Sequence, residues 1–270
     1  MAAPFAPSRA FLVIHFWPFV PPMRQLQSTR NTMPRTVAIL PAAGFGTRMG
    51  ADSPKQFRLL SGVPVIVFTL RRLAQCPAID EFLIATRGDD IESLGARLAE
   101  EQFDRPVRVV RGGDTRQESV RNALEEVPAN TDLVLVHDAV RPLVTREQAE
   151  RVISEAEVRG AVILGIPAMD TVKEVKRASL PGDVALITAT IPRERVVLAQ
   201  TPQAFHASLL RAAFAQAAAD GMTASDEAGL VERMGRDVYV VLGAERNLKI
   251  TRPGDLALAE FYLAEERAGR

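Results

Sequence analysis

Residues 36–50 read Thr36-Val37-Ala38-Ile39-Leu40-Pro41-Ala42-Ala43-Gly44-Phe45-Gly46-Thr47-Arg48-Met49-Gly50, and Ser53-Pro54-Lys55-Gln56 follow two residues later. The run 36–40 is apolar and β-branched, the pattern of a strand buried on both faces. Small residues come next, and Gly44 and Gly46 permit close backbone approach and φ values that other residues resist. Arg48 and Lys55 then supply a planar fork and a mobile point charge, a pair suited to phosphate oxygens. A strand that ends in a small-residue loop carrying two cations predicts a nucleoside triphosphate site. It also predicts an α/β fold with that strand inside the sheet.

Two other phosphate loops fail on spacing. A Walker loop needs Lys and Ser or Thr directly after its last glycine, but Gly50 is followed by Ala51 and the lysine waits until position 55. The dinucleotide fingerprint needs a glycine where Met49 stands, and no acidic residue follows at the required distance. A plain connecting turn is the simpler alternative. Against it stands a series of further motifs, several of them placed just after predicted strands.

Those motifs are Gly112-Gly113-Asp114-x-Arg116-x-x-Ser119-Val120, Val136-His137-Asp138-Ala139-x-Arg141-Pro142, Asp170-Thr171-Val172-Lys173, Thr201-Pro202-Gln203, Asp226-Glu227-Ala228 and Lys249-Ile250-Thr251-x-Pro253. With the opening loop, this order resembles the sugar-phosphate nucleotidyltransferases. More narrowly it resembles the family of 2-C-methyl-D-erythritol 4-phosphate cytidylyltransferases, from about Thr36 to about Leu263. The resemblance implies transfer of a cytidylyl group from CTP to 2-C-methyl-D-erythritol 4-phosphate, in the non-mevalonate isoprenoid pathway. A cytidylyltransferase for another polyol phosphate, such as ribitol 5-phosphate, is the alternative from the same fold. A non-catalytic relative would be expected to lack Arg48, Lys55 or Asp138, and all three are present.

Composition agrees with an enzyme of small molecules. A 270-residue chain with a 47% hydrophobic fraction suits one large α/β domain. Basic and acidic residues balance at 33 each, so neither nucleic acid nor an anionic membrane is an expected partner. Phosphate affinity must then come from locally placed cations. The lone Cys76 fits a reducing compartment and a buried thiol, and a cytoplasmic location is expected. Residues 1–35 differ: no acidic residue precedes Asp52, and the apolar stretch 11–20 is too short to span a bilayer. They are read as a leader that is disordered or lies before the true start, with Met33 as a candidate start. A plastid transit segment is the alternative.

Along the chain, strands are expected at 81–86, 107–111, 133–137, 161–167 and 238–242. Helices are expected at 65–75, 91–101, 116–126, 145–159, 207–219, 225–234 and 253–267, and residues 59–64 read as a turn. Strands alternating with helices imply a Rossmann-like, mainly parallel sheet with helices on both faces, in a single domain over 36–270. Ligands then bind beyond the strands' carboxyl ends. The region 168–195 departs from the alternation. Its β-like runs 172–176 and 185–191, joined by Ser179-Leu180-Pro181-Gly182-Asp183, form a hairpin too poor in apolar surface to stand alone. We expect it to pack on a second subunit, and the resemblance implies a homodimer clasped by this arm.

Asp138 ends a hydrophobic strand, where a carboxylate is costly unless paired. A magnesium ion shared with triphosphate oxygens would pair it, and the resemblance makes Asp138 the metal ligand. His137 beside it reads as a structural hydrogen-bonding residue. By resemblance Ala42, Ala43, Gly113 and Ser119 hold cytosine, with Pro41, Gly44, Asp114 and Ala139 near the ribose. Thr171, Arg193, Thr201, Ser225 and Lys249 would bind the polyol phosphate, Thr171 and Arg193 reaching from the arm into the partner's site. Arg48 and Lys55 are the expected catalytic cations.

Overall fold

The computed structural model describes residues 34–44, 54–176 and 184–269. The expected leader up to residue 33, and Arg48 in the loop 45–53, lie outside the described residues. From Pro34 onward the residues belong to one compact unit. In chain order the elements are β1 (Thr36–Pro41), β2 (Leu59–Leu60), β3 (Val63–Pro64), α1 (Val65–Leu73), β4 (Glu81–Thr86), α2 (Ile91–Ala99), β5 (Val107–Arg111), α3 (Arg116–Glu125) and β6 (Leu133–Val136). Then come α4 (Arg146–Arg159), β7 (Ala161–Pro167), β8 (Val172–Lys176), β9 (Leu186–Ile191), β10 (Val197–His206), α5 (Ala207–Ala219), α6 (Glu227–Arg233), β11 (Tyr239–Leu242) and α7 (Pro253–Ala268).

The sheet has seven strands in the order β11-β7-β10-β6-β1-β4-β5. Its parallel pairs are β6 with β1, β1 with β4, β4 with β5, and β7 with β11. Side chains along the central strands alternate between two cores. Ala38 and Leu40 of β1 face one cluster, while Val37 and Ile39 face the other. β4 and β6 repeat the alternation through Phe82 and Ile84 against Leu83, and through Leu133 and Leu135 against Val134 and Val136. Covering both faces is what makes these strands continuous apolar runs. Helices α1, α2 and α4 supply the first cluster, and α3 and α5 the second.

Local chemistry sets several boundaries. Thr145 caps α4 in a capping box with Gln148, and Gly160 closes it at φ 88°, a conformation that favours glycine. Thr115 caps α3 with Glu118, so the cap lies one residue beyond Asp114. The turn at 59–64 carries a small two-stranded ribbon, β2 with β3.

One element escaped the sequence reading. β10 enters the middle of the sheet between β6 and β7 and runs antiparallel to both. Its centre is Gln200-Thr201-Pro202-Gln203, polar and proline-containing, which by propensity opposes a central strand. The register shifts between Gln200 and Gln203, so the proline sits in an irregularity of the ladder, with a cis Thr201–Pro202 bond. Burial of Ala204 and Phe205 against the two cores overrides propensity. The hairpin is present as β8 with β9. No helix of the described residues is long and apolar enough to cross a membrane.

Candidate active site

Parallel strands β1, β5 and β6 end on the same side, and their following segments converge on one pocket of about 480 Å³ including its mouth. Among the described residues it is lined by Pro41, Ala42, Ala43 and Gly44 from β1 and its loop, and by Lys55 and Gln56 from the next turn. Arg116 and Ser119 of α3, Asp138, Ala139 and Val140 after β6, and Lys249 complete it. Gln56 is buried and its amide donates to the Ala42 carbonyl at 2.6 Å, while the Ala42 amide donates to Ala85 at 2.7 Å. The loop is thereby pinned to the sheet at its first residues. Gly44 adopts no left-handed φ, and among the described residues a Cβ there would meet nothing within 4 Å.

The α3 side is tighter. Ser119 accepts from the Gly113 amide at 3.1 Å and donates to the Thr115 carbonyl at 2.8 Å. A Cβ on Gly113 would lie 2.3 Å from the Glu118 Cβ, so this turn requires glycine. Gly113 and Asp114 stand just before α3 and outside the pocket's lining; Gly113 bonds to Ser119, which lines it, and Asp114 is exposed.

Asp138 is the electrostatic centre. It is 5% exposed, and three cations touch its carboxylate. Arg116 Nε lies 3.0 Å from Oδ1, and Lys249 Nζ and Arg141 Nε lie 2.9 and 3.4 Å from Oδ2. Burial opposes its charge, but Arg116, Lys249 and Arg141 outweigh burial and hold the carboxyl far below the usual carboxylate range. Arg116 in turn gives both terminal nitrogens to Glu227, at 2.7 and 2.9 Å. Glu227 is 1% exposed, and burial raises its carboxyl even with this partner.

A second network sits behind Asp138. Its amide donates to Thr201 Oγ1 at 3.0 Å, and Thr201 faces His137 Nδ1 at 3.1 Å. His137 Nε2 lies 3.1 Å from the Arg141 carbonyl, which can only accept. That fixes the proton on Nε2, and the Thr201 hydroxyl donates to Nδ1. Burial lowers the His137 pKa to about 4, so the ring is neutral near pH 7. This is the structural role read from the sequence. Arg141 also donates to the Asn247 carbonyl at 2.7 Å, and the Ile250 amide donates to Val140 at 2.9 Å. These two bonds position Lys249 between them.

The predicted residues therefore divide. Pro41, Ala42, Ala43, Gly44, Lys55, Ser119, Asp138, Ala139 and Lys249 share the pocket. Thr201 stands behind it, holding Asp138. Thr171 and Arg193 lie on the arm, Arg193 donating to the Met169 carbonyl at 2.6 Å, and neither lines the pocket within one chain. Ser225 is exposed just before Asp226, the cap of α6. Arg48 lies outside the described residues. Three residues went without a role in the sequence, Arg116, Arg141 and Glu227. Each lies inside a quoted motif, and the usable signal was opposite charges in motifs far apart in the sequence.

Among the described residues no group of three or more metal-ligating side chains occurs. Asp138 alone still suits a magnesium ion brought in on a triphosphate, since that ion takes one or two carboxylates and fills its shell with phosphate and water oxygens. Lys249, with the most exposed side chain of the three cations around Asp138, is the most movable of them.

A mainly parallel sheet with a small-residue loop after its first strand, and a cation-ringed aspartate opposite, defines a nucleotidyltransferase class of fold and site. The sequence profile of the 2-C-methyl-D-erythritol 4-phosphate cytidylyltransferases matches residues 36–265. The chain is 53% identical over 237 residues to that enzyme of Acidobacterium capsulatum, covering 86% of this chain and 98% of the relative. It is 45% identical to that of Solibacter usitatus, covering 87% and 98%. Among solved structures it resembles the 4-diphosphocytidyl-2C-methyl-D-erythritol synthase of Anaerococcus prevotii, with TM-score 0.74, 31% identity and coverage of 86% and 100%. The cytidylyltransferase of Thermus thermophilus gives TM-score 0.67, 35% identity and coverage of 85% and 98%. This chain belongs to the 2-C-methyl-D-erythritol 4-phosphate cytidylyltransferase family.

Proposed function

We propose that the pocket transfers the cytidylyl group of CTP to 2-C-methyl-D-erythritol 4-phosphate, forming 4-CDP-2-C-methyl-D-erythritol and pyrophosphate. The observation that carries this reading is the ring of Arg116, Arg141 and Lys249 around buried Asp138, in the same pocket as Lys55. The acceptor phosphate has a second pKa of ~6 and is mostly dianionic near neutrality. It needs no general base; it needs its repulsion from the triphosphate reduced. A neutral, buried His137 is consistent with chemistry run by charge and positioning.

Lys55, with Arg48, is assigned to the charge that builds on the α-phosphate and the departing pyrophosphate. Ala42, Ala43, Gly113 and Ser119 are assigned to the base, and Pro41, Gly44, Asp114 and Ala139 to the ribose. Lys249, Thr201 and Ser225 are assigned to the acceptor side of this chain's pocket. Asp138 would hold magnesium, which when bound supplies charge neutralisation along the triphosphate. The arm's exposed Leu186, Ile187 and Ile191 support a homodimer in which Thr171 and Arg193 act on the other subunit's acceptor. We take the catalytic domain as 36–270 and its location as cytoplasmic.

The test is pyrophosphate release with CTP against a panel of polyol phosphates, with and without magnesium. Turnover with 2-C-methyl-D-erythritol 4-phosphate, and little with ribitol 5-phosphate, is the expected result. The reverse preference refutes the acceptor assignment.

A further inference from the structure

Arg116 is shared by two carboxylates, and the sharing is unequal. Glu227 takes both terminal nitrogens, at 2.7 and 2.9 Å, so its carboxylate lies along the fork and sets the plane of the guanidinium. Nε is the nitrogen that donates to Asp138, at 3.0 Å. Glu227 does not line the pocket, whereas Arg116 and Asp138 do. The glutamate is itself held from outside the site. Gln203 of β10 donates to Asp226 Oδ2 at 2.8 Å and accepts from the Ala228 amide at 3.2 Å, bracketing Glu227 on both sides. The same strand holds the Asp138 amide through Thr201. β10 thus anchors both carboxylates that grip Arg116.

We propose that Glu227 is a positioning residue for cytidylyl transfer: it locks the Arg116 fork so that Nε meets Asp138, keeping that carboxylate oriented toward the pocket. The inference rests on Asp138 being the charged centre of the reacting corner. Without Glu227 the fork turns to grip Asp138 with two nitrogens, or swings toward an incoming phosphate.

Charge and position predict opposite outcomes, which makes the idea testable. The corner holds Arg116, Arg141 and Lys249 against Asp138 and Glu227, a net charge of +1. Glu227→Gln makes it +2, so electrostatics alone would favour binding of the polyanionic substrates. If Glu227 positions, kcat falls while KM for CTP does not rise.

The experiment measures kcat and KM for CTP in Glu227→Gln, Arg116→Lys, the double variant and Glu227→Asp, each checked for folding by circular dichroism. Asp138→Asn is the reference for the corner itself. We expect kcat of Glu227→Gln to fall about 10–100-fold, the range for a group that orients a ligand from behind. KM for CTP should stay within about threefold or decrease. The double variant should lose no more than Arg116→Lys alone, because both changes disable one unit. Glu227→Asp keeps the charge but withdraws the fork by one methylene, and its kcat should fall less than that of Glu227→Gln but measurably. Should Glu227→Gln fail to fold, Glu227→Asp decides by itself. Wild-type kcat in a folded Glu227→Gln or Glu227→Asp overturns the proposal, as do losses that multiply in the double variant. An active Asp138→Asn would instead overturn the reading of the corner, so the two failures are distinguishable.

Discussion

The pocket corner and the arm are built on opposite terms. In the corner Asp138 meets three cations of its own chain, Asp138 and Glu227 are almost fully buried, and each carboxylate has a cation at hydrogen-bond distance. In the arm all six residues of β9 are exposed, including Leu186 at 65% and Ile187 at 57%. β8 is nearly as bare. A two-stranded ribbon is marginal by itself, and uncovered aliphatic side chains call for a covering surface. The corner is thus complete within one chain and sensitive to single substitutions. The arm leaves aliphatic side chains exposed in one chain, and under the proposed homodimer changes there should read out in association.

The strongest way to sharpen this contrast is Lys55→Ala. Removing one preorganised cation is expected to cost about 10²–10³ in turnover. The circular dichroism and melting temperature should stay near wild type, because the side chain lines a pocket and does not fill a core. Pyrophosphate release measures the first and thermal unfolding the second. A variant with near wild-type turnover would remove Lys55 from the mechanism.

Next in size is the effect of acid on the metal-free protein. The unfolded chain protonates an imidazole near pH 6.5, but buried His137 only near pH 4, so the folded state binds fewer protons in between. Stability is therefore fully present above about pH 6.5 and is lost as pH falls toward 4, by an amount on the order of 3 kcal/mol. Asp138 continues the loss at lower pH. Glu227, raised by burial, acts in the opposite sense around the carboxylate range. His137→Gln should flatten the slope between pH 6.5 and 4 in urea titrations followed by fluorescence. An unchanged slope would show that the ring does not titrate there.

In the arm, Leu186→Asp together with Ile187→Lys is expected to shift sedimentation from dimer to monomer. Denaturant stability of the isolated chain should change by no more than about 0.5 kcal/mol, as for exposed positions generally. A persistent dimer would place the contact elsewhere. The smallest effect belongs to Thr190→Ala, which removes the bond from Lys173 Nζ to Thr190 Oγ1 across the ribbon at 2.6 Å. A cross-strand pair of this kind contributes about 0.2–1 kcal/mol. Local hydrogen exchange in β8 and β9 should register the loss, and global unfolding should not.

The outer shape of this design was readable residue by residue. Alternating cores along β1, β4 and β6 follow from their unbroken aliphatic runs, because only strands covered on both faces are apolar at every position. The loop after β1, and Asp138 after β6, could be placed from the rule that parallel strands deliver ligand-binding segments at their carboxyl ends. β10 was not readable. Gln200, Thr201 and Gln203 have the composition of a loop, and their amide and hydroxyl groups become useful only where β6, α6 and Asn247 surround them.

The sequence by itself therefore determined the parallel frame, the small-residue loop after β1 and the identity of the charged residues, since periodicity and local turn chemistry are short-range properties. Tertiary structure alone decided which charges meet. Arg116 reaches Asp138 across 22 positions and Glu227 across 111, and no local rule specifies such a pairing. It arises because burying the sheet brings three elements to one point, where each buried charge must find a partner of opposite sign.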